Sequence, residues 1–506
     1  MPLIPIDLKP GVYKNGTPYS GKLRWADSNL VRWKDGAIRV IGGWEERTDD
    51  ADVVIPALIA DPTREAPRNI ISWTDNDIGR HIVVGTNKAL YYIDNSGAVT
   101  DITPSPFTGG GKNSGLLLGY GTFSYGEGSY GTKRTGSGAY PSDVASWAFG
   151  LWGQTLLALY RASGKLYEWT PGVDATAIPI ATAPLNMQDV IVTDERIVLG
   201  IGGTSAPRLV QWSASEDNSN WTPSVTNQAG SLTLAGVGPL LAVTQIRNEL
   251  LIIGQNEVYA GRYLGPPYVY GFDRVGDNNG LLSANCLVTT ERFAMWAAER
   301  NFWLYDGSMK KLESDVIDFF YNDLSDTEYS KTYGFTVRDF NEVWWLYQSD
   351  DSPTTEPDSY ICYDYALNHW TKGKLDRCVG IDKAATMTPL MVSSSGVVYN
   401  HELEEVSIQD GDIPYCETGP IELGQGDQQV YIDYIYPDEL VANDVDMTIK
   451  TRDMPNLTDQ TFGPYTLSSP TPVRARGRQF SLRFEGRSAG WRIGLMRANV
   501  KSGGLR

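Results

Sequence analysis

The stretch Glu342-Val-Trp-Trp-Leu-Tyr347, followed after a polar turn by Ser359-Tyr-Ile-Cys-Tyr363, decides how this chain folds. Flat aromatic and β-branched side chains suit a pleated surface. The Ser349-Asp-Asp turn ends the first run, so the stretch reads as two neighbouring strands. Working outward, the same apolar run recurs at His81-Ile-Val-Val-Gly, Thr155-Leu-Leu-Ala-Leu, Arg196-Ile-Val-Leu-Gly, Glu249-Leu-Leu-Ile-Ile, Arg292-Phe-Ala-Met-Trp and Pro389-Leu-Met-Val. A second strand ending in aromatics follows in each case, as in Ala89-Leu-Tyr-Tyr, Lys165-Leu-Tyr-Glu-Trp169 and Asn301-Phe-Trp-Leu-Tyr305. Successive units open 74, 41, 53, 43, 50 and 47 residues apart. A period of roughly 40–50 residues is that of propeller blades. The long first interval holds a Gly/Ser/Tyr-rich insertion, and removing it restores the period.

Around His81 all four strands of one blade are legible. They are Asn69–Trp73, His81–Gly85, Leu90–Ile93 and Ala98–Ile102, separated by Asp75-Asn-Asp and Asn95-Ser-Gly turns. The expected fold is therefore all-β: a β-propeller of six or seven blades over 51–405. An N-terminal arm or cap over 1–50 precedes it, with strands around Lys34-Asp-Gly36. A short helix is expected at Ser314–Tyr321 as a decoration of the ring. From about 406 the pattern becomes strict alternation, in Gln429–Ile435, Met447–Thr451, Gln479–Phe484 and Trp491–Leu495. Residues 406–506 thus read as a separate C-terminal antiparallel β-domain with one solvated face. In its last strand Trp491, Ile493 and Leu495 are expected to face inward.

Charge is unevenly placed. Residues 471–506 hold nine cations against Glu485, a balance of +8, which leaves −26 on residues 1–470 of a chain whose total is −18. The asymmetry indicates a basic docking surface on an acidic body. Arg474, Arg476, Arg478, Arg483 and Arg492 are its expected interface residues. The insertion, 108–142, spaces Tyr120, Tyr125, Tyr130 and Tyr140 at multiples of five in a background that cannot form its own core. It reads either as a mobile loop or as a protrusion ordered against a neighbouring subunit, with Tyr120, Tyr125 and Tyr130 as contact residues.

No catalytic set emerges. The three histidines, His81, His369 and His401, have no partners at metal-ligand spacing, so neither metal nor cofactor is expected. Gly109-Gly-Gly-Lys112 fails as a phosphate loop, because Pro106 and Asn113 stand where Gly and Ser or Thr are needed. Ser213-Ala-Ser-Glu-Asp-Asn-Ser-Asn-Trp221 resembles the aspartate box of sialidase-type propellers, one residue short, and occurs once. It is expected to be a polar hairpin pinned by its tryptophan. Cys286, Cys362, Cys378 and Cys416 lack CxxC spacing and read as reduced structural thiols. No apolar run is long enough for membrane insertion, and the N-terminus has no secretory pattern. The expectation is a non-enzyme assembled in a cytoplasm.

Three segments together resemble one family. They are Pro10-Gly-Val-Tyr-Lys-Asn-Gly-Thr17…Arg24-Trp…Asn29-Leu-Val-Arg-Trp33…Gly42-Gly-Trp44, the hairpin Trp212-Ser…Asn220-Trp-Thr-Pro223, and Lys450-Thr-Arg-Asp453…Arg474-Ala-Arg-Gly-Arg-Gln479…Trp491-Arg-Ile-Gly494. These resemble the tail nozzle proteins of short-tailed bacteriophages, also called tail tubular or DNA-stabilisation proteins. The resemblance implies a structural virion protein of the tail, six copies of which form a ring below the head-to-tail adaptor. That ring is a conduit and retention point for genomic double-stranded DNA. The implied partners are the homo-hexamer, the adaptor and tail fibre or needle proteins.

Such a conduit should not grip its cargo. Phosphate contacts by Lys and Arg supply most non-specific DNA affinity. An acidic body repels phosphates over about 8 Å at physiological salt. Two other readings stay open: a glycan-binding or glycan-cleaving propeller of the tail tip, and a DNA-binding protein using the basic C-terminal segment.

Overall fold

The computed structural model describes residues 3–17, 19–49, 51–115, 143–203 and 206–404, and most of 406–505 apart from short gaps. Seven four-stranded antiparallel sheets account for the repeat. The first is Pro67–Thr74, Arg80–Thr86, Leu90–Ile93 and Val99–Asp101, each strand hydrogen-bonded to the next. The following blades begin with Trp147–Trp152, Asp189–Val192, Leu240–Ile246, Val288–Thr289, Tyr333–Val337 and Val379–Ile381. These first strands pack beside one another around the ring, and the last of them lies against Pro67–Thr74. The ring therefore closes with seven blades.

The repeated sequence unit is strands two and three of each blade. Those strands have neighbours on both edges and packed blades on both faces, so they are apolar throughout. Every residue of Glu342–Tyr347 and Ser359–Asp364 is buried. Outer strands such as Met309–Leu312 have an exposed face and carry a weaker signal.

The seventh blade explains the ambiguity in blade number. It supplies three strands in sequence, Val379–Ile381, Leu390–Val392 and Val398–Leu403, and its fourth is Gly43–Glu46 from the far end of the chain. The arm expected over 1–50 thus contributes its last strand to the propeller.

The rest of the arm joins the C-terminal strands. Leu3–Ile6 pairs with Met496–Leu505, Trp25–Asn29 with Tyr415–Thr418, and Ala37–Val40 with Arg492–Ile493. Two sheets result. One runs Leu3–Ile6, Met496–Leu505, Gln428–Tyr436, Thr471–Gly477; the other runs Trp25–Asn29, Tyr415–Thr418, Gln479–Glu485, Asp446–Arg452, Gln460–Thr466. Ile432, Ala475 and Ala498 from the first share a core with Met447, Leu482 and Phe484 from the second. That core is continuous with Trp345 and Trp370 of the sixth blade. Ser28 Oγ donates to the Lys372 carbonyl at 2.9 Å, and Val12 N–H to the Trp370 carbonyl at 2.8 Å, so this terminal module is docked on the outer strand of blade six.

Two local expectations shift. The helix lies at Ile317–Asp323, with Phe320 buried between blades five and six. Leu495 is 41% exposed, because the pairing of Arg492–Ile493 with Ala37–Val40 stops at Ile493 and the alternation breaks there.

Candidate functional site

Alternation is complete in Thr471–Gly477: Thr471, Val473, Ala475 and Gly477 are buried, while Pro472, Arg474 and Arg476 are exposed. The neighbouring strand sets Tyr431 opposite Arg476 and Tyr434 opposite Pro472. Beyond it, Lys501 lies opposite Tyr431 and Arg497 opposite Tyr436. Directly opposed residues share a face. Three tyrosines and four cations therefore occupy the outer face of one sheet. A register shift between Ile432 and Tyr434 makes this possible, since it brings Tyr434 and Tyr436 to the same side as Tyr431. On this face Lys501 meets Asp433, and Arg476 donates to the amide oxygen of Gln429. No described residue forms an ion pair with Arg474 or Arg497.

The five arginines expected on one surface are divided among three. Arg474 and Arg476 stand on the face just described. At Arg478 the chain crosses to the second sheet, where Arg478 N–H donates to the Arg452 carbonyl at 3.3 Å. Arg483 lies on the second sheet and is neutralised within the chain. Its Nε donates to Glu485 at 3.0 Å, its Nη1 lies 3.5 Å from Glu417, and its guanidinium stacks 3.6 Å from the Tyr415 ring centroid. Arg492 belongs to a third, small sheet, opposite Arg39. Alternation tells which side of its strand a residue occupies, but not which sheet the strand joins. Tyr431, Tyr434, Tyr436, Arg497 and Lys501 were missed as site residues. The alternation of Gln429–Ile435 pointed to the first tyrosine, and only the register shift brings in the others.

Tyr120, Tyr125 and Tyr130 lie outside the described residues. The flanks of their segment are described. Ser114 N–H donates to Glu328 at 3.1 Å, and Val144 N–H donates to Ser330 Oγ at 3.2 Å. Both flanks therefore meet one loop, just before the first strand of blade six.

That loop stands at one mouth of the ring, where the first strands begin, amid a network of buried charge. Arg68 of blade one donates to Glu356 of blade six through both terminal nitrogens, at 2.6 and 3.0 Å. Lys331 lies 3.2 Å from both Glu328 and Glu356, and Lys112 lies 3.7 Å from Glu356. Burial drives the Glu356 carboxyl upward, but Arg68 and the lysines outweigh it and hold it below its ordinary range. Arg161 continues the chain of contacts, meeting Asn285 and Asp189, and Asp189 accepts from Val243 N–H at 2.9 Å. Lys112, the lysine of the failed phosphate loop, is thus a structural cation. A depression of about 1200 Å³ opens at this mouth, lined by both charge signs, including Glu299, Arg300, Lys311 and Asp326.

The histidines are packed into blades. His81 contacts Asp75 at 3.0 Å and Tyr92 at 2.8 Å, and the His401 ring accepts from Arg377 Nε at 3.0 Å. Among the described residues no group of three or more His, Cys, Asp or Glu could hold a metal ion. The Ser213–Trp221 segment forms a hairpin with an Ala214–Asp217 bridge. Trp221 is buried and donates to the Asn218 carbonyl at 2.8 Å, while Asp217 accepts from Ser219 within the turn. All four cysteines are buried and free. No helix is long and apolar enough to cross a membrane among the described residues.

No family model matches the sequence, and no curated protein matches it. Solved structures similar in shape are propellers. Hsv2 of Kluyvelomyces marxianus is 10% identical with a TM-score of 0.33, over 53% of this chain and 73% of that one. YCF48 bound to D1 peptide is 9% identical with a TM-score of 0.38, over 73% of this chain and 100% of that one. The Cps50 (Swd1) β-propeller domain of Myceliophteria thermophila is 8% identical with a TM-score of 0.38, over 72% and 98%. At these scores the likeness carries no functional argument, and the architecture rests on the seven sheets themselves.

Proposed function

We propose that this chain is a structural protein of a bacteriophage virion, the tail nozzle of a short-tailed phage. Six copies form a ring below the head-to-tail adaptor, and genomic DNA is retained at that ring and leaves through it. One observation carries the reading. Sequence segments at opposite ends of the chain, which together resemble that family, are neighbours in space. Val31-Arg-Trp33 forms the first strand of the hairpin whose second strand pairs with Arg492-Ile493, and one strand separates Lys450–Arg452 from Tyr415–Thr418, the partner of Trp25. A shared module gives dispersed motifs a common physical reason.

The charge distribution supports the same reading, because an acidic body of −26 disfavours adhesion of a DNA duplex. No catalysis is assigned. Asp217 and Trp221 act as hairpin residues, which weighs against a glycan-cleaving role for that segment. The test is assembly mass. A hexamer weighs about 335 kDa, six times the 55.8 kDa chain. A particle of that mass that binds purified adaptor supports the reading, whereas a protein that stays monomeric with and without adaptor overturns it.

A further inference from the structure

Resting on that ring reading, we infer that the Tyr/Arg face of the first terminal sheet docks onto a second copy of this chain, on the acidic turn face of propeller blades one to three. The docking face has the composition of an interface: rigid aromatic area from Tyr431, Tyr434 and Tyr436 on the central strand, flanked by Arg474 and Arg476 on one side and Arg497 on the other. Tyrosine and arginine are enriched at binding hot spots, since both bury large area with few soft torsions and carry a polar tip. Arg474 and Arg497 have no carboxylate partner among the described residues, and Arg476 has a neutral one. Arg474 and Arg476, two residues apart on the same face of one strand, repel each other until carboxylates arrive, and guanidinium pairs bidentately with carboxylate.

The complementary surface lies on the same chain. First strands all begin at one mouth, so the turns joining strands one and two, and those joining strands three and four, gather at the opposite face. In blades one to three these turns hold Asp75, Asp77, Asp94, Asp174, Asp194 and Asp217. Exposed Ile78 (78%), Val173 (77%) and Val225 stand among them as apolar contacts for the tyrosines. The terminal module is docked on blade six, across the ring from these blades. Two complementary patches on opposite flanks make a heterologous, head-to-tail contact, which closes into a ring when the rotation permits.

The test uses the full chain and native mass measurement across concentration, with melting curves to establish that each variant folds. Arg474→Glu/Arg476→Glu/Arg497→Glu removes the basic side. Asp77→Lys/Asp194→Lys alters the acidic side at two exposed positions. Each variant alone is expected to lose rings and to raise the concentration for half-assembly at least tenfold. Their equimolar mixture is expected to stop at a dimer of about 112 kDa, twice 55.8, because one intact contact remains and cannot extend.

Rings formed by either variant alone at the wild-type concentration overturn this inference and leave the ring reading standing. A mixture that stays monomeric shows that the two faces do not meet and overturns it, and so does a mixture that closes into rings. A wild type that is monomeric at every concentration, with and without adaptor, overturns both proposals. Salt-sensitive binding of a DNA duplex by the wild type, lost in the arginine variant, assigns the face to nucleic acid and overturns the inference.

Discussion

Arg32, from the N-terminal segment, meets both carboxylate oxygens of Glu342 on blade six, at 2.8 and 3.0 Å, in a buried pair. The same guanidinium donates to Glu402 of blade seven at 2.7 and 2.6 Å and stacks 3.6 Å from the Phe340 ring centroid. One side chain therefore joins the terminal module to two blades. Burial pushes the Glu342 carboxyl upward and disfavours the Arg32 charge, while the attraction of both carboxylates keeps the guanidinium protonated above its ordinary range.

Arg32→Met removes the cation and leaves two buried carboxylates facing each other. Breaking a buried pair in this way costs about 3–5 kcal/mol. Chemical unfolding of the variant is expected to show a loss of that size, partly recovered by adding Glu342→Gln. An unchanged midpoint refutes the role.

Trp344 is fully buried and donates to Glu342 at 2.9 Å, whereas Trp303 is half-buried. Trp344→Ala is expected to cost about 3–5 kcal/mol. Trp303→Ala is expected to cost about 2 kcal/mol, since part of its transfer gain is absent in the folded state. Equal losses at the two positions contradict the burial difference.

Acidification is expected to destabilise the propeller below neutral pH. Burial, then Arg377, holds His401 well below its usual value, and burial lowers His369. The unfolded chain takes up protons near pH 6.5 while the native rings stay neutral. Stability is therefore full above about 6.5 and falls as pH drops, by up to about 1.4 kcal/mol per pH unit for each histidine. Unfolding midpoints between pH 7.5 and 5 measure the slope, and His401→Gln should flatten it.

The mouth network has its own window. Glu356 is held low, so its contribution is present above its unfolded value of about 4.3 and is lost as pH falls through the lower folded value. Glu356→Ala leaves Arg68 and Lys331 buried without their shared carboxylate, an expected loss of about 3–5 kcal/mol. Faster proteolysis next to residue 112 in this variant checks that the flanks of the insertion depend on it.

Gly43 begins the strand that completes blade seven, and a Cβ there would overlap the Val406 carbonyl. Gly43→Ala is expected to cost about 1–3 kcal/mol through a forced backbone shift. A variant as stable as the wild type argues that ring closure tolerates displacement of this strand.

Within a blade, the local pattern was sufficient. Glu342–Tyr347 and Ser359–Asp364 announce themselves because a central strand packed on both faces has to be apolar throughout, and the turns between them are fixed by short-range chemistry. Alternation in Thr471–Gly477 likewise determined which residues face out. Strand partners were decided by the tertiary structure. Backbone ladders accept any strand, so nothing local in Gly43–Glu46 says that it closes a blade built more than 300 residues later. For the same reason Arg476 and Arg483, seven residues apart, stand on different sheets, and Tyr434 shares a face with Arg476 only through a register shift in its own strand. Sequence sets the side of each strand. The partner strand, chosen by burial of the whole core, sets the surface that results.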